Sequence, residues 1–282
     1  MMIVALSYAR WFEAIERRKS RRSFEQRHID QADNKRLKEL CNGFSPYPDV
    51  RAVFRTDSPD EVFKGAIGHY GMIKGAPAFI AFIGDRKSLY VNERIGYLGE
   101  GIILEATSLG LDTCWVGGFF RPEVAANLVG TYRGERVLAV TPVGYAKNNI
   151  SLEERIMTGF GRTHRRKPLS DLVSGLDESK WPTWIQKSLE AARLAPSAVN
   201  RQPWRFEVAE QSITVSVDNQ KDKYGISKRL DCGIAMLHIE LGAMISGVSG
   251  KWEFLVPPKV ARFIINPNIV GGVMMGQVKQ LL

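Results

Sequence analysis

Two stretches of this 282-residue chain resemble each other when one is shifted by 132 positions, which sets Gly101-Ile102 against Gly233-Ile234. The same shift aligns Leu109-Gly110 with Leu241-Gly242, and Val116-Gly117-Gly118 with Val248-Ser249-Gly250. Ahead of the glycine turns, Leu98, Ile102, Ala106 and Leu109 recur at helical spacing in one copy, and Leu230, Ile234, His238 and Leu241 in the other. That period predicts a buried helix running into a turn in each copy. Flanking elements recur as well. Asn34 to Asn42 reads as a helix, Val50 to Arg55 as extended and Ala78 to Ile83 as an apolar strand; Thr183 to Leu194 reads as a helix, with strand-like Phe206 to Ala209 and Ile213 to Val217 after it. The expectation is two related α+β halves, 1–174 and 175–282, each with a mixed or antiparallel sheet and flanking helices, joined near Arg166 to Lys180. Solenoid periods run from ~20 to ~50 residues, so this repeat is not one of them. It is the pattern of a fused homodimer, in which fusion fixes the pairing and lets one of two equivalent interface sites decay.

Composition narrows the function classes. With 44% hydrophobic and 24% charged residues, the chain reads as globular and long enough to fill a core. Cys41, Cys114 and Cys232 are dispersed and odd in number, which excludes a disulfide scaffold and fits a reducing compartment; Cys114 reads as an apolar filler. The longest apolar run, Ala76 to Gly84, is shorter than the ~20 residues a bilayer span needs. The start lacks a secretory pattern, so a cytoplasmic location without membrane contact is expected. A net charge of +9 suits anionic partners of any kind. The basic runs Arg17 to Arg22 and Arg165 to Lys167 are short and no nucleic-acid motif accompanies them, so no nucleic-acid partner is expected. His28, His69, His164 and His238 show neither metal nor triad spacing, and the Gly271 to Gly276 cluster lacks the lysine or acidic partner of a nucleotide loop.

One segment is specific. Leu189 to Phe206 reads LEAARLAPSAVNRQPWRF, and it resembles the APSxxNxQPW element that follows an amphipathic helix in the nitroreductase family of FMN flavoproteins. Arg21-Arg22-Ser23 resembles the family's RRS element, and Gly99 to Gly110 followed by TCWVGGF at Thr113 to Phe119 resembles its buried helix and flavin-facing loop. Arg165 to Leu169, RRKPL, resembles its C-terminal basic motif. The resemblance implies a nitroreductase-like α+β fold. It also implies a flavin held by RRS, the glycine loop and the basic motif of one subunit and by the Ser/Asn/Gln element of the other.

Here one such set is complete and divided between the halves. Its complement is not, because Phe44 to Arg51 reads FSPYPDVR and Val248 to Trp252 reads VSGKW. One FMN per chain, a vestigial second site and a monomeric pseudo-dimer are therefore expected.

FMN itself explains the residue types. Its phosphate dianion suits the guanidinium forks of Arg21, Arg165 and Arg166. Ser23, Ser197, Asn200 and Gln202 offer neutral hydrogen bonds to phosphate, ribityl or ring edge. Gly117 and Gly118 would bring backbone N–H groups to flavin N5, while Trp115 and Pro196 pack against the ring. Where the family often has a cation two positions beyond the RRS serine, this chain has Glu25, so charge stabilising the reduced flavin is expected from Arg22, Arg27 or elsewhere.

The resemblance implies hydride transfer from NAD(P)H through FMN to a small electron-poor acceptor, nitroaromatic or quinone-like. A non-catalytic flavin sensor or carrier, a flavin-dependent dehalogenase or dehydrogenase on the same scaffold, and a flavin-free nucleic-acid binder are the alternatives.

Overall fold

A computed structural model describes residues 6–57, 59–64, 73–147, 165–222 and 225–266. The His69, His164 and Gly271 to Gly276 readings lie outside these residues. At the centre are two helices of 18 residues each, α4 (Val91–Ser108) and α7 (Lys228–Ile245). Both are buried around most of their circumference, as expected of helices that are apolar on nearly every face.

The two touch backbone to backbone. A Cβ on Gly96 would overlap the Leu230 carbonyl oxygen, and a Cβ on Gly233 would overlap the Glu93 carbonyl oxygen. The contact is reciprocal: each glycine meets the carbonyl three residues before the other glycine. The helix ends match in the same register. Leu111 N–H donates to Ala106 O at 2.9 Å and Val248 N–H to Ala243 O at 3.0 Å, around the left-handed Gly110 (φ +80°) and Gly247 (φ +75°).

Equivalent helix positions are thus 137 apart, Gly96 with Gly233, which corrects the spacing of 132 read from the sequence. The slip has a physical origin, since these helices carry glycine wherever any neighbour presses in. Gly101 makes room for the rings of Phe44 and Trp11, which a Cβ would meet at 2.7 and 2.9 Å, and Gly242 for the backbone of Ser188 at 2.5 Å.

Each half lays a sheet beside this pair. The first has strand order β1 (Val50–Arg55), β2 (Ala78–Asp85), β4 (Glu135–Gly144) and β3 (Asp112–Thr113), all antiparallel. The second runs β5 (Val173–Gly175), β6 (Trp204–Ala209), β7 (Ser212–Val217), β9 (Lys259–Ile265) and β8 (Gly250–Phe254). Without β5, which pairs parallel to β6 and spans residues 174 and 175, the two orders are the same. The helix α2 (Gln31–Gly43) precedes β1 as α6 (Thr183–Leu194) precedes β6.

The halves differ in cover. β2 is buried on both faces because α3 (Pro59–Phe63) and α5 (Pro122–Val129) accompany a second apolar cluster, including Phe24, Phe63, Phe79 and Val140. β6 alternates buried and open positions, as a strand with one solvated face does. The helix α1 (Tyr8–Arg17) buries Trp11, whose Nε1 donates to Glu105 at 2.5 Å; Arg10 and Arg36 reach the other oxygen of that buried carboxylate at 3.0 and 2.6 Å.

The glycine crossing makes a stability prediction. Gly96→Ala and Gly233→Ala should each cost about 4 kcal/mol or more in urea unfolding, the range for strain in a packed core. Gly110→Ala, whose Cβ meets nothing within 4 Å, should lose only about 1–2 kcal/mol from its left-handed backbone. Comparable losses at all three positions would contradict the crossing.

Candidate functional site

After α1 the chain runs extended along the first sheet, with Arg21 N–H donating to Thr113 O and Phe24 N–H to Lys74 O, both at 2.9 Å, while Lys147 N–H donates to Ser23 O at 3.0 Å. The RRS element is therefore an edge segment, held by its backbone, from which Ser20 and Arg22 line a cleft. The loop after β3 supplies Trp115 to Phe119, and the second half supplies Pro196 to Val199 with Ile226 and Asp231. This cleft, about 120 Å³, adjoins a second of about 400 Å³ through Gly117, Gly118 and Phe119. Pieces from the front and back of the chain thus share one cavity.

Of the residues expected from sequence, Arg22, Trp115, Gly117, Gly118, Pro196 and Ser197 line the cleft. Arg21, Ser23, Arg165, Arg166, Asn200 and Gln202 do not line it. Asn200 and Gln202 instead clamp the basic motif: Asn200 Nδ2 and Gln202 Nε2 donate to Arg165 O at 2.9 and 3.1 Å. Lys167 N–H donates to Gln202 Oε1 at 2.8 Å, and the Arg166 guanidinium donates to Asn200 Oδ1 at 2.5 Å and Leu194 O at 3.0 Å. The seam between RRKPL and APSAVNRQPW is thereby closed by hydrogen bonds. Burial lowers the Arg166 guanidinium to about 10, and the charges of Arg18 and Arg193 push the same way. Its Nε is buried without an acceptor.

Backbone strain gathers at this place. Among non-glycine residues, Phe119, Val199, Asn200 and Gln202 have φ of +56°, +48°, +54° and +48°. For the β-branched Val199 this is a true outlier, and such conformations persist only when the surroundings over-determine them. Here Ser197 Oγ accepts from Gln202 N–H at 2.9 Å, and Asp231 accepts from Ala198 N–H at 3.1 Å and Arg201 Nε at 2.6 Å. The Arg201 guanidinium also donates to Ile226 O at 3.0 Å, tying the two cleft loops together.

Behind the cleft, Trp115 lies across Gly99, where any side chain would overlap the indole, and packs on Phe82 with centroids 4.9 Å apart. Its Nε1 donates to the fully buried Glu100 at 2.7 Å. Burial raises the Glu100 carboxyl, but His238, Arg18 and the indole N–H outweigh that and hold it below its ordinary value. Glu25 uses its N–H on Tyr145 O and is not part of the cleft lining. Arg27 is turned to Tyr145, 4.0 Å from the ring centroid, and to Asp30 at 3.2 Å. Of the two cations expected near the flavin, only Arg22 lines the cleft.

Ser20, Ile226, Glu100 and Asp231 were not among the residues singled out from the sequence, and Phe119 and Val199 lay within its motifs with no role of their own. For the two carboxylates a signal existed: an acid on a helix otherwise apolar all round needs a buried partner.

The family model described as "Putative TM nitroreductase" matches residues 10–243. The chain belongs to this nitroreductase family. A structure described as a "putative nitroreductase" of Thermotoga maritima is 22% identical and covers 95% of this chain and 97% of its own, with a TM-score of 0.62. A nitroreductase family protein from Clostridium difficile is 20% identical, covering 58% of this chain and 96% of its own at a TM-score of 0.45. A Bacteroides fragilis nitroreductase with bound FMN is 17% identical, covering 50% and 91% at a TM-score of 0.40. None of the curated proteins matches the sequence significantly. The fold is the nitroreductase-like α+β fold that the motifs implied. Among the described residues no helix is long and apolar enough to cross a membrane, and no cluster of His, Cys, Asp or Glu has a metal-binding arrangement.

Asp231 provides a pH test of the strained loop. Burial raises its carboxyl to about 6, against the opposing pull of Arg201 and the Ala198 N–H. A group that binds its proton more tightly when folded contributes fully below its unfolded value of 3.8 and loses that contribution as pH rises through about 6. The stability of the protein minus that of its Asp231→Asn variant should therefore fall by up to about 3 kcal/mol across this interval. A difference flat with pH would show that Asp231 is not buried as described.

Proposed function

We propose that the cleft binds one FMN and that the protein is an FMN-dependent oxidoreductase taking hydride from NADH or NADPH and delivering it to a small electron-poor acceptor, nitroaromatic or quinone-like. The observation that carries this reading is the meeting, across one cavity, of the glycine loop from the first half and the Pro196 to Val199 loop from the second.

The residues present suit a flavin. Trp115, Pro196 and Ile226 give apolar walls for a flat ring, and Arg22 gives a cation on the same cavity. A side chain at Gly117 would stand 3.2 Å from Ile226 Cγ2 and narrow the opening, so glycine keeps it wide. When bound, FMN supplies reversible two-electron chemistry. The protein's part would be to hold it: Gly117 and Gly118 would offer backbone N–H groups, Arg22 a cation for the phosphate, and Trp115 and Pro196 apolar surface that excludes water. No acid or base side chain is required.

Differences between the halves support a single site in the fused pair, 1–174 with 175–282, and the proposed working unit is the monomer. At the spacing of 137, Phe254 stands where Gly117 stands, and Trp252 where Trp115 stands. The Phe254 ring stacks on Tyr90 with centroids 4.8 Å apart and meets Tyr47 at 5.6 Å, with the Arg94 guanidinium 4.9 Å above it. Rings fill the space that glycine leaves open in the other half. Arg94 is the counterpart of Asp231, and its partner Asp49, at 2.8 Å, precedes β1 as Arg201 precedes β6. The same ion pair thus appears twice with its charges exchanged.

The test is spectroscopic. Purified protein should show a flavin spectrum, bleach anaerobically with NADH or NADPH, and recolour on addition of a nitroaromatic or a quinone. Arg22→Ala should weaken FMN binding at least about tenfold, roughly 1.4 kcal/mol, as loss of a phosphate-paired charge does. Protein that neither carries nor takes up FMN contradicts the reading, and protein that binds FMN but is bleached by neither nicotinamide removes its enzymatic half.

A further inference from the structure

The buried core behind the cleft holds a charge arrangement that the proposed cofactor site does not itself require. His238 lies at zero exposure on α7, between two acceptors: its Nδ1 is 2.8 Å from the Ala191 carbonyl of α6 and its Nε2 is 2.9 Å from Glu100 Oε1 of α4. A carbonyl oxygen only accepts, so Nδ1 must carry a proton. The other Glu100 oxygen receives the Trp115 N–H, and Arg18 Nε stands 4.0 Å from Oε1; both contacts suit a carboxylate. Facing a carboxylate, Nε2 must carry a proton as well. The ring with two protons is a cation.

This cation has cationic neighbours. Arg18 comes from the end of α1 and also donates to Ser20 Oγ at 3.4 Å, and Ser20 lines the cleft. Arg166 comes from the basic motif, and the charge of Arg193 of α6 acts on it as well. Arg18 at 4.0 Å and His238 at 2.9 Å face Glu100 Oε1, and the charge of Glu100 is also felt at Arg166. The group touches the cleft wall at Trp115 and at Ser20. A net positive charge in a region of low dielectric acts on the cleft with little screening.

We infer that His238 is held as an imidazolium and that, together with Arg18 and Arg166, it favours the reduced, negatively charged form of the cofactor over the oxidised form. His238 and Arg18 are positioning residues that act through the wall of the site, and the inference rests on the flavin reading given above.

Two measurements test it. The first needs no flavin: nitrogen and carbon NMR of the histidine rings in the flavin-free protein at neutral pH should show His238 with a proton on each ring nitrogen. A single-tautomer pattern at that pH overturns the inference. The second compares affinities for oxidised and reduced FMN. His238→Gln and Arg18→Gln should each lower the preference for reduced FMN about tenfold, roughly 30 mV for a two-electron couple. Glu100→Gln should leave the preference nearly unchanged, because losing the carboxylate also releases the imidazolium proton, and the amide still accepts from Trp115. A purely structural network would not give this pattern. Unchanged preference in His238→Gln and Arg18→Gln overturns the inference, and Arg18→Gln with the NMR decides it should His238→Gln fail to fold. Protein that binds neither form of FMN overturns the functional reading and with it the role toward the cofactor, while the ring spectra still decide the charge.

Discussion

Everything distant in this chain is brought together by two helices that touch backbone to backbone. The reciprocal contact of Gly96 with the Leu230 carbonyl and of Gly233 with the Glu93 carbonyl leaves no room for a side chain on either glycine. It therefore fixes how far the helices approach and in what register. Glu93 and Arg229, an ion pair beside the crossing, lock the same junction with charge. Once α4 and α7 are set, each carries its own sheet, and the loop leaving α4 meets the loop after α6 and the segment entering α7 at the cleft. The cleft is a consequence of that crossing rather than of any single motif.

Approximate two-fold symmetry about the crossing makes the differences between the halves informative. Matching helix caps and matching strand orders preserve the common architecture. The ion pair between the segment before the first long strand and the central helix persists with its polarity exchanged, so its place in the scaffold outlives the identity of its charges. What has changed is space. Phe254 and Tyr90 close one side, whereas Gly117 keeps the other open. The open side also holds most of the backbone strain among non-glycine residues, at Phe119, Val199, Asn200 and Gln202, and the polar network that sustains it. Strain of this kind has a cost of order 1–3 kcal/mol per residue, which the closed side has no reason to bear.

Much of this was legible in the sequence. Thr183 to Leu194 and Val50 to Arg55 have the bounds that periodicity gives them, and the other elements of the halves extend by a few residues at their ends. That Arg22, the glycine loop and Pro196 to Val199 share one cavity accords with the arrangement the resemblance implied. The register of the repeat was not legible, because glycine marks any close approach and several neighbours press on these helices. The bonds that Asn200 and Gln202 make to the basic motif were hidden for a similar reason. A side chain able to hydrogen-bond a ligand can equally bind a neighbouring strand of backbone, and only the fold shows that Arg165 to Lys167 lies within reach. Glu100 and His238 were hidden by separation, since they are 138 positions apart and meet only through the helix crossing.

The most direct test of the central claim, that two halves of one polypeptide build a single cofactor site, is the ratio of tightly bound FMN to chain measured together with sedimentation mass. One FMN per chain on a monomer is the expected result. One FMN for every two chains on an obligate dimer, or two on each monomer, would contradict it.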